Sequence, residues 1–471
     1  VFLDLNDKKI AVIGFGLSGK AVTNFLLKKK VSITVFDEKN QINAGQEIKE
    51  FEKRGVKFEF GRFDFQKIAC CDLIIMSPGI SAFKYPEFNN LKQNGKEVIS
   101  EIELASRFLK GKLISITGTN GKSTTTTLIY HLFKTAVNKG CLVGNIGIPF
   151  ISEVENIGKD DYAVVEVSCF QLEEIKLFKP NYAILTNITE DHLDRYPSME
   201  AYIETRKNIF KNMTVDDKII LNFDDPLTQI HIVPSLAKFS NIYWFSRITE
   251  VSRGIFLKGN KITFRNGARN GERDVSFFDI SDFPLIGHHN IENALAASLT
   301  LALEGIEMAL IQKGLRDFKG LEHRMEFAAN VGEVDFINDS KATNIDSVLK
   351  AISSLNSKSK IVIIMGGKYK GGDFSLLKQV ITDNIKSIVV IGEAATLIES
   401  QLRDVVTIRR AVDMKEAVSV SFEDAKPRGT VLLSPGCASF DMFNSFEHRG
   451  KIFKEEVMNI KKQHERDIRK T

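Results

Sequence analysis

Short, almost uninterrupted apolar runs recur along this chain, each closed by a glycine, a carboxylate or a Ser-Pro-Gly turn, with stretches of helical spacing between them. Runs of that kind read as buried strands of an open α/β sheet, whose ligands gather at the C-terminal strand ends. Lys8 to Gly14 (KKIAVIG) predicts a strand, followed by Gly14-Phe15-Gly16-Leu17-Ser18-Gly19 and a helix through Leu27. Val31 to Phe36 predicts a second strand ending at Asp37. Further strands are expected at Asp72–Ile80, Lys112–Ile116, Tyr162–Ser168, Tyr182–Ile188, Lys218–Asn222, Ile361–Met365, Ser387–Gly392 and Thr430–Gly436, and the run from Val334 to Asn344 restarts the βα alternation. Ile242 to Asp279 reads as a small meander, and helices are expected over Ala294–Leu303 and from Asp346. The pattern gives an α/β fold of three domains. These are a Rossmann-like N-terminal domain (1–100), a central P-loop ATPase-like domain (101–320) and a C-terminal Rossmann-like domain (321–471).

Composition narrows the class. With 471 residues, 43% hydrophobic and 26% charged, the chain reads as an ordinary globular protein, and its net charge of +4 points to neither a nucleic acid nor a membrane as partner. Cys70 and Cys71 are adjacent in a strand-like run, and the five cysteines include no CxxC pair that would suggest zinc or a disulfide framework. A cytoplasmic setting is expected, with no leader, no membrane span and a monomeric chain.

The chemistry concentrates at Ile114 to Thr127, ISITGTNGKSTTTT. A strand, a glycine loop and a helix start make a phosphate cradle of backbone N–H groups. The loop is shorter than GxxxxGK[ST], since Ile116 stands where the first glycine would be, and it reads Gly118-Thr119-Asn120-Gly121-Lys122-Ser123. Lys122 would reach the terminal phosphates of a nucleoside triphosphate, and a hydroxyl of Ser123 or Thr124 would ligate Mg²⁺. Glu166, at the end of an apolar strand, suits a further metal ligand, because burying it unpaired is costly. His192 sits among three acids in Thr189-Glu190-Asp191-His192-Leu193-Asp194 and reads as a metal or phosphate group. The Gly14–Gly19 turn fits any diphosphate, a nicotinamide dinucleotide being the alternative to a different nucleotide. Lys370 lies on a Gly-rich loop suited to an anion, although a surface turn would look the same.

Taken together, TGTNGKSTT, VVEVSCFQLE, NITEDHLDRY and HHNIENALAA resemble the Mur ligase family across essentially the whole chain, and NDSKATN, MGGKYKGGDF and SPGCASFDMFNSFEHRG resemble its glutamate-adding members. The resemblance implies ATP-dependent joining of glutamate to UDP-N-acetylmuramoyl-L-alanine through an acyl phosphate, with two Mg²⁺ ions. It further implies Gly118, Thr119, Asn120, Gly121, Lys122, Ser123 and Thr124 around the ATP phosphates, with Asn290, Asn293, Arg324 and Asp339 orienting the nucleotide. Ser123 and Glu166 would serve the first metal, His192 the second. Leu17, Ser18, Ser77, Gly79 and Asn145 would contact the nucleotide sugar. Thr343, Lys370, Ser439, Phe440 and Phe446 would hold glutamate, with Lys341 nearby. Asp37 then has no dinucleotide task.

Two departures stand out. Cys169 follows Ser168 where such ligases carry a second serine. These ligases also use a carbamylated lysine near the second metal. Counting from His192 puts Lys207 there, whereas aligning on Tyr202 and Phe210 puts Arg206 there, and Lys207 is the expected carbamylated residue. The two exclude one another on a regular helix, and an arginine stays protonated. Other readings are a folylpolyglutamate-type sister ligase, a nucleotide-binding protein without catalysis, and an NAD-dependent oxidoreductase. The sequence does not choose between D- and L-glutamate.

Overall fold

Strands buried on both faces divide their side chains between two cores, and the first strand does this residue by residue. Ile10 and Val12 enter one hydrophobic cluster while Ala11 and Ile13 enter another. Each fully buried Ile or Val contributes about 1.5–3 kcal/mol. The computed structural model describes residues 4–38, 45–192, 195–267, 274–285, 287–355, 360–381 and 385–468. It divides into two compact units, Val1–Phe283 with Glu292–Phe318, and Pro284–Ile291 with Lys319–Thr471.

The first unit carries two sheets. Five parallel strands, β1 (Lys9–Ile13), β2 (Ser32–Asp37), β3 (Lys57–Phe60), β4 (Leu73–Met76) and β5 (Glu97–Ser100), run in the order β3-β2-β1-β4-β5. The order reverses at β1, which opens a crevice at the strand ends between β1 and β4. The second sheet comprises β6 (Lys112–Thr117), β7 (Cys141–Gly144), β8 (Tyr162–Glu166), β9 (Tyr182–Leu185), β10 (Lys218–Asn222), β11 (Ile242–Ser246), β12 (Gly254–Lys258), β13 (Lys261–Arg265) and β14 (Val275–Asp279). Their order is β14-β13-β12-β11-β10-β9-β6-β8-β7. Glu103 ties the two sheets together. Its buried carboxylate accepts the backbone N–H groups of Lys176, Leu177 and Phe178 at 2.7–3.0 Å and the Arg107 Nε at 2.7 Å.

The second unit carries β15 (Glu326–Val331), β16 (Val334–Asn338), β17 (Lys360–Gly366), β18 (Ile385–Ile391), β19 (Thr407–Arg410) and β20 (Gly429–Leu433). Their order is β15-β16-β20-β17-β18-β19, parallel except for the edge hairpin β15–β16.

Three local expectations need correction. Ile242–Ser246 is not part of a meander. It extends the parallel sheet beside β10, and only β12–β14 run antiparallel, with residues 268–273 outside the described residues. Periodicity misses this because a buried edge of a parallel sheet and a meander share the same short apolar runs. Cys70 and Cys71 are not in a strand; Cys70 caps the short helix Phe65–Ala69. The helix expected over Ala294–Leu303 starts earlier, at His288, so Asn290 and Asn293 are helical residues one turn apart.

Candidate active site

Backbone geometry explains the glycines of the phosphate loop. Gly118 has φ +139° and Gly121 φ +83°, and an added Cβ would sit 2.1 Å from Thr186 Oγ1 and 2.5 Å from Asn293 Oδ1 respectively. Only glycine fits both the left-handed backbone and the missing volume. Gly121 precedes the helix Lys122–Val137, so the loop runs directly into a helix N-terminus. Lys122 folds its ammonium over the loop and donates to the carbonyls of Gly118 at 2.8 Å and Thr119 at 2.7 Å. Ser123 and Thr124 are buried at the helix start. The loop is braced from the end of β9. Asn187 Oδ1 accepts the Asn120 N–H at 2.9 Å while its Nδ2 donates to the Asn120 carbonyl at 3.1 Å, and Thr186 Oγ1 donates to that same carbonyl at 2.6 Å. Asn293 accepts a hydrogen bond from Thr125 at 3.0 Å and so stands against this helix's first turn.

Glu166 closes β8, directly beside Ile116 of β6 in register. It is 2% exposed; Oε1 accepts from Asn145 Nδ2 at 2.8 Å, and Oε2 is buried with no hydrogen-bond partner among the described residues. A buried anionic oxygen without a protein donor is costly, and its place beside a phosphate loop fits a divalent cation. The structure thus brings together Asn145, Glu166 and the loop. His192 adopts φ +57° and its ring packs 4.7 Å from Phe170 and 6.5 Å from Tyr202. Its neighbours Leu193 and Asp194 lie outside the described residues.

Lys207 is corrected. The helix Met199–Lys207 is capped by Ser198, whose Oγ accepts the Ala201 N–H, and residues 195–198 before it are not helical. Counting from His192 therefore crosses non-helical residues, whereas Tyr202 and Arg206 stand four apart on one helix face. Arg206 is the residue that faces inward. It is 1% exposed, donating to Thr117 Oγ1 and, at 2.7 Å, to the Tyr202 hydroxyl, which is 2.8 Å from Thr119 Oγ1. Lys207 points elsewhere and pairs with Glu204 at 2.6 Å. A carbamate at this place needs a lysine amine, and the group there is a guanidinium. The residues do not fit a lysine carbamate.

The crevice of the first sheet gathers the expected sugar-nucleotide residues. Leu17 and Ser18 open the helix after β1, and Ser77 and Gly79 follow β4. Ser77 Oγ donates to the Gly14 carbonyl at 3.0 Å, closing the glycine turn onto the Ser-Pro-Gly turn. Asp37 acts as a brace, accepting the Phe15 N–H at 2.6 Å. Arg195 links this edge to the second sheet. It donates to the carbonyls of Pro78 at 2.9 Å and Ile80 at 3.1 Å, and it pairs with Glu173 at 2.7 Å and lies over the Phe170 ring at 4.1 Å. A cavity of about 550 Å³ lies here, lined by Gly79, Ser81, Phe83, Lys84, Phe170 and Arg195, wide enough for part of a nucleotide sugar.

In the second unit the expected residues cluster at the C-terminal ends of β16, β17 and β20. Asp339 follows β16 and accepts from Met325 N at 3.2 Å and Ser434 Oγ at 3.2 Å. Burial pushes its carboxyl up to about 7, against the pull of Arg324. Lys341 lies 4.0 Å from the Phe446 ring, Lys370 lies 5.8 Å from the Phe440 ring, and Phe440 is exposed while Ser439 is buried. Thr343 is half-buried in the same turn, and Asn290 is buried in its helix. Arg449 holds these turns together. Fully buried, it donates to Ser340 Oγ at 3.0 Å and to the carbonyls of Ser340, Cys437 and Ala438 at 2.8–3.3 Å. The Glu322, His323 and Glu326 cluster in this unit is bridged by Lys454, which bonds to both glutamates.

Asp339 gives a pH prediction. Its folded value of about 7 lies above the unfolded value of about 3.9, so the native state keeps a proton that the unfolded chain releases. That contribution is present below about pH 4 and is lost as pH rises through about 7. An Asp339→Asn variant is expected to show a smaller fall in Tm than the parent between about pH 5 and about pH 8. Equal falls, read by calorimetry, would contradict the assignment.

Residue reasoning missed Asn187, Thr186, Tyr202, Arg195 and Arg449. Thr186 and Asn187 stand at the end of the apolar strand run, but neutral brace residues carry no sequence mark. Arg449 and Arg195 owe their roles to burial and backbone partners that no local pattern marks.

Comparison with known proteins bears on this geometry. Three family models match: the Mur ligase MurD-like N-terminal domain over residues 8–100, the Mur ligase middle domain over 116–301, and the Mur ligase glutamate ligase domain over 323–437. A Koribacter versatilis protein named UDP-N-acetylmuramoylalanine--D-glutamate ligase is 38% identical, the match covering 98% of this chain and 99% of that one. A Pelotomaculum thermopropionicum protein of the same name is 40% identical, covering 98% and 99%. Among solved structures, the UDP-N-acetylmuramate-alanine ligase of Thermotoga maritima matches with TM-score 0.59 at 20% identity, covering 96% of this chain and 100% of that one. A MurF structure from Acinetobacter baumannii gives TM-score 0.61 at 17% identity, covering 94% and 93%. These two share the fold.

Proposed function

The chain belongs to the Mur ligase family, and from that premise we propose that it joins D-glutamate to UDP-N-acetylmuramoyl-L-alanine at the expense of ATP, in peptidoglycan precursor synthesis. The observation that carries the reading is the phosphate loop after β6 beside Glu166 at the end of the neighbouring parallel strand β8, with Lys122 folded over the loop and one buried Glu166 oxygen short of a protein donor.

The carboxylate of the alanyl group attacks the γ-phosphorus of ATP, and ADP departs. The glutamate amine then attacks the acyl carbon, and the tetrahedral intermediate expels phosphate, leaving the amide. Negative charge builds on the transferring phosphoryl oxygens, and stabilising it is the protein's largest task. Lys122 swings from the loop carbonyls to those oxygens, while the N–H groups of Gly121 to Ser123 line the cradle. Mg²⁺ held by Ser123 and Glu166 would neutralise phosphate charge there, and a second ion is assigned to His192. Asn145, fixed by Glu166, faces the nucleotide sugar, whose uridine diphosphate end lies at Leu17, Ser18, Ser77 and Gly79.

Asn290, Asn293, Arg324 and Asp339 orient ATP, and Lys341, Thr343, Lys370, Ser439, Phe440 and Phe446 receive glutamate. Residues 1–100, 101–320 and 321–471 divide these tasks as a sugar-nucleotide-binding domain, an ATP-binding domain and a domain that contacts both glutamate and ATP. The protein works as a cytoplasmic monomer in this reading; among the described residues no helix is long and apolar enough to cross a membrane. Nucleotide sugar labelled with ¹⁸O in the alanyl carboxylate tests the route. Transfer of one label to inorganic phosphate is expected, and unlabelled phosphate would rule out the acyl phosphate.

A further inference from the structure

We propose that this ligase works without a lysine carbamate, and that Arg206 occupies that place as a permanent cation positioning the phosphate loop. The inference rests on the ligase reading above.

The helix Met199–Lys207 presents Tyr202 and Arg206, four residues apart, to the interior, at 0% and 1% exposure. The guanidinium is bonded on two sides. One Nη donates to Thr117 Oγ1 on the last residue of β6, the other to the Tyr202 hydroxyl at 2.7 Å, and the group lies over the Tyr202 ring at 4.9 Å. The Tyr202 hydroxyl is 2.8 Å from Thr119 Oγ1, and Thr119 Oγ1 in turn accepts the Thr189 N–H at 2.9 Å. An unbroken series of hydrogen bonds thus runs from Arg206 to the second residue of the phosphate loop. Thr117 Oγ1 also donates to the Val167 carbonyl at 2.9 Å, one residue past Glu166, so the same guanidinium bears on both strand ends of the site.

Lys207 cannot take this place without dismantling it. The residues are consecutive, so exchanging them needs a helix rotation of about 100°. That rotation would bring Tyr202 and the charged guanidinium out of their hydrogen bonds, and breaking a buried charged network is strongly unfavourable. Lys207 is instead held on the outer side by Glu204. The charge difference is large as well. A carbamate would bring one negative charge beneath the loop, whereas Arg206 brings one positive charge that no physiological pH removes. Its Nε is buried with no hydrogen-bond partner among the described residues, as expected of a guanidinium held by two fixed oxygens and a ring rather than by a carboxylate. Arg206 acts through Thr117, Tyr202 and Thr119 and is a positioning residue.

Full-length protein with Mg²⁺ and ATP, equilibrated with ¹³C-bicarbonate and observed by ¹³C NMR, reads the lysine directly and needs no turnover, so a failed ligase reading is distinguishable from a failure here. The parent protein is expected to show no carbamate resonance and the same kcat in CO₂-depleted and bicarbonate buffers. Arg206→Lys, which keeps a cationic side chain and so favours folding, is expected to gain the resonance. Its KM for ATP should rise about tenfold in either buffer, since neither an ammonium nor a carbamate reproduces the guanidinium's two fixed hydrogen bonds. A carbamate resonance in the parent that vanishes in Lys207→Arg would overturn the proposal, as would a parent kcat that falls on CO₂ removal. An Arg206→Lys protein with no resonance, or with an unchanged KM for ATP, would overturn the place or the positioning role respectively.

Discussion

A Lys122→Ala variant is expected to lose about 10³-fold in kcat/KM while remaining folded, the scale seen when one preorganised charge-stabilising donor is removed from a transition state. Lys122 Nζ bonds to the carbonyls of Gly118 and Thr119, both buried residues, so the variant is expected to lose about 1–3 kcal/mol of stability while keeping its fold. The loss should fall mainly on kcat, because charge on the transferring phosphoryl group grows between ground state and transition state. Steady-state phosphate release separates the two parameters. A variant within tenfold of the parent would remove Lys122 from the chemistry and favour a nucleotide-binding protein with another role.

Glu166→Gln carries the second large effect, and it has two signs. Activity is expected to fall about 100-fold or more, with a higher Mg²⁺ requirement, since a neutral amide is a poor ligand for a hard cation. Metal-free stability should move the other way. Glu166 Oε2 is a buried charged oxygen with no partner among the described residues, and Gln keeps the Asn145 bond while removing the charge. Relief of about 1–3 kcal/mol corresponds to a rise of about 2–4 °C per kcal/mol in the transition of the unit that holds it. Calorimetry of the metal-free proteins decides this. A lower Tm in the variant would mean that Glu166 is held by the fold rather than strained for binding.

Much of the fold was legible because its strands are short apolar runs ending in functional residues. Ile10 to Ile13 and Ile361 to Met365 are buried on both faces, and such runs announce a parallel sheet. The phosphate loop was legible for a related reason, since Gly118 and Gly121 stand at positive φ where no other residue fits. Glu166 was legible as a carboxylate in an apolar strand. What stayed hidden was phase across irregular backbone. Residues 195–198, ahead of the helix, are not helical, so counting on from His192 put Lys207 where Arg206 stands. The start of the helix at His288 and the parallel pairing of Ile242–Ser246 were hidden likewise, because capping and sheet partners are set by tertiary neighbours rather than by local pattern.

The central claim is glutamate ligation, and phosphate release from ATP and Mg²⁺ with UDP-N-acetylmuramoyl-L-alanine tests it most directly, run with D-glutamate, with L-glutamate and with neither. Release that requires D-glutamate, with the nucleotide sugar gaining the mass of one glutamyl residue, is the predicted result. Release with neither enantiomer, in protein shown to bind ATP, would contradict the account.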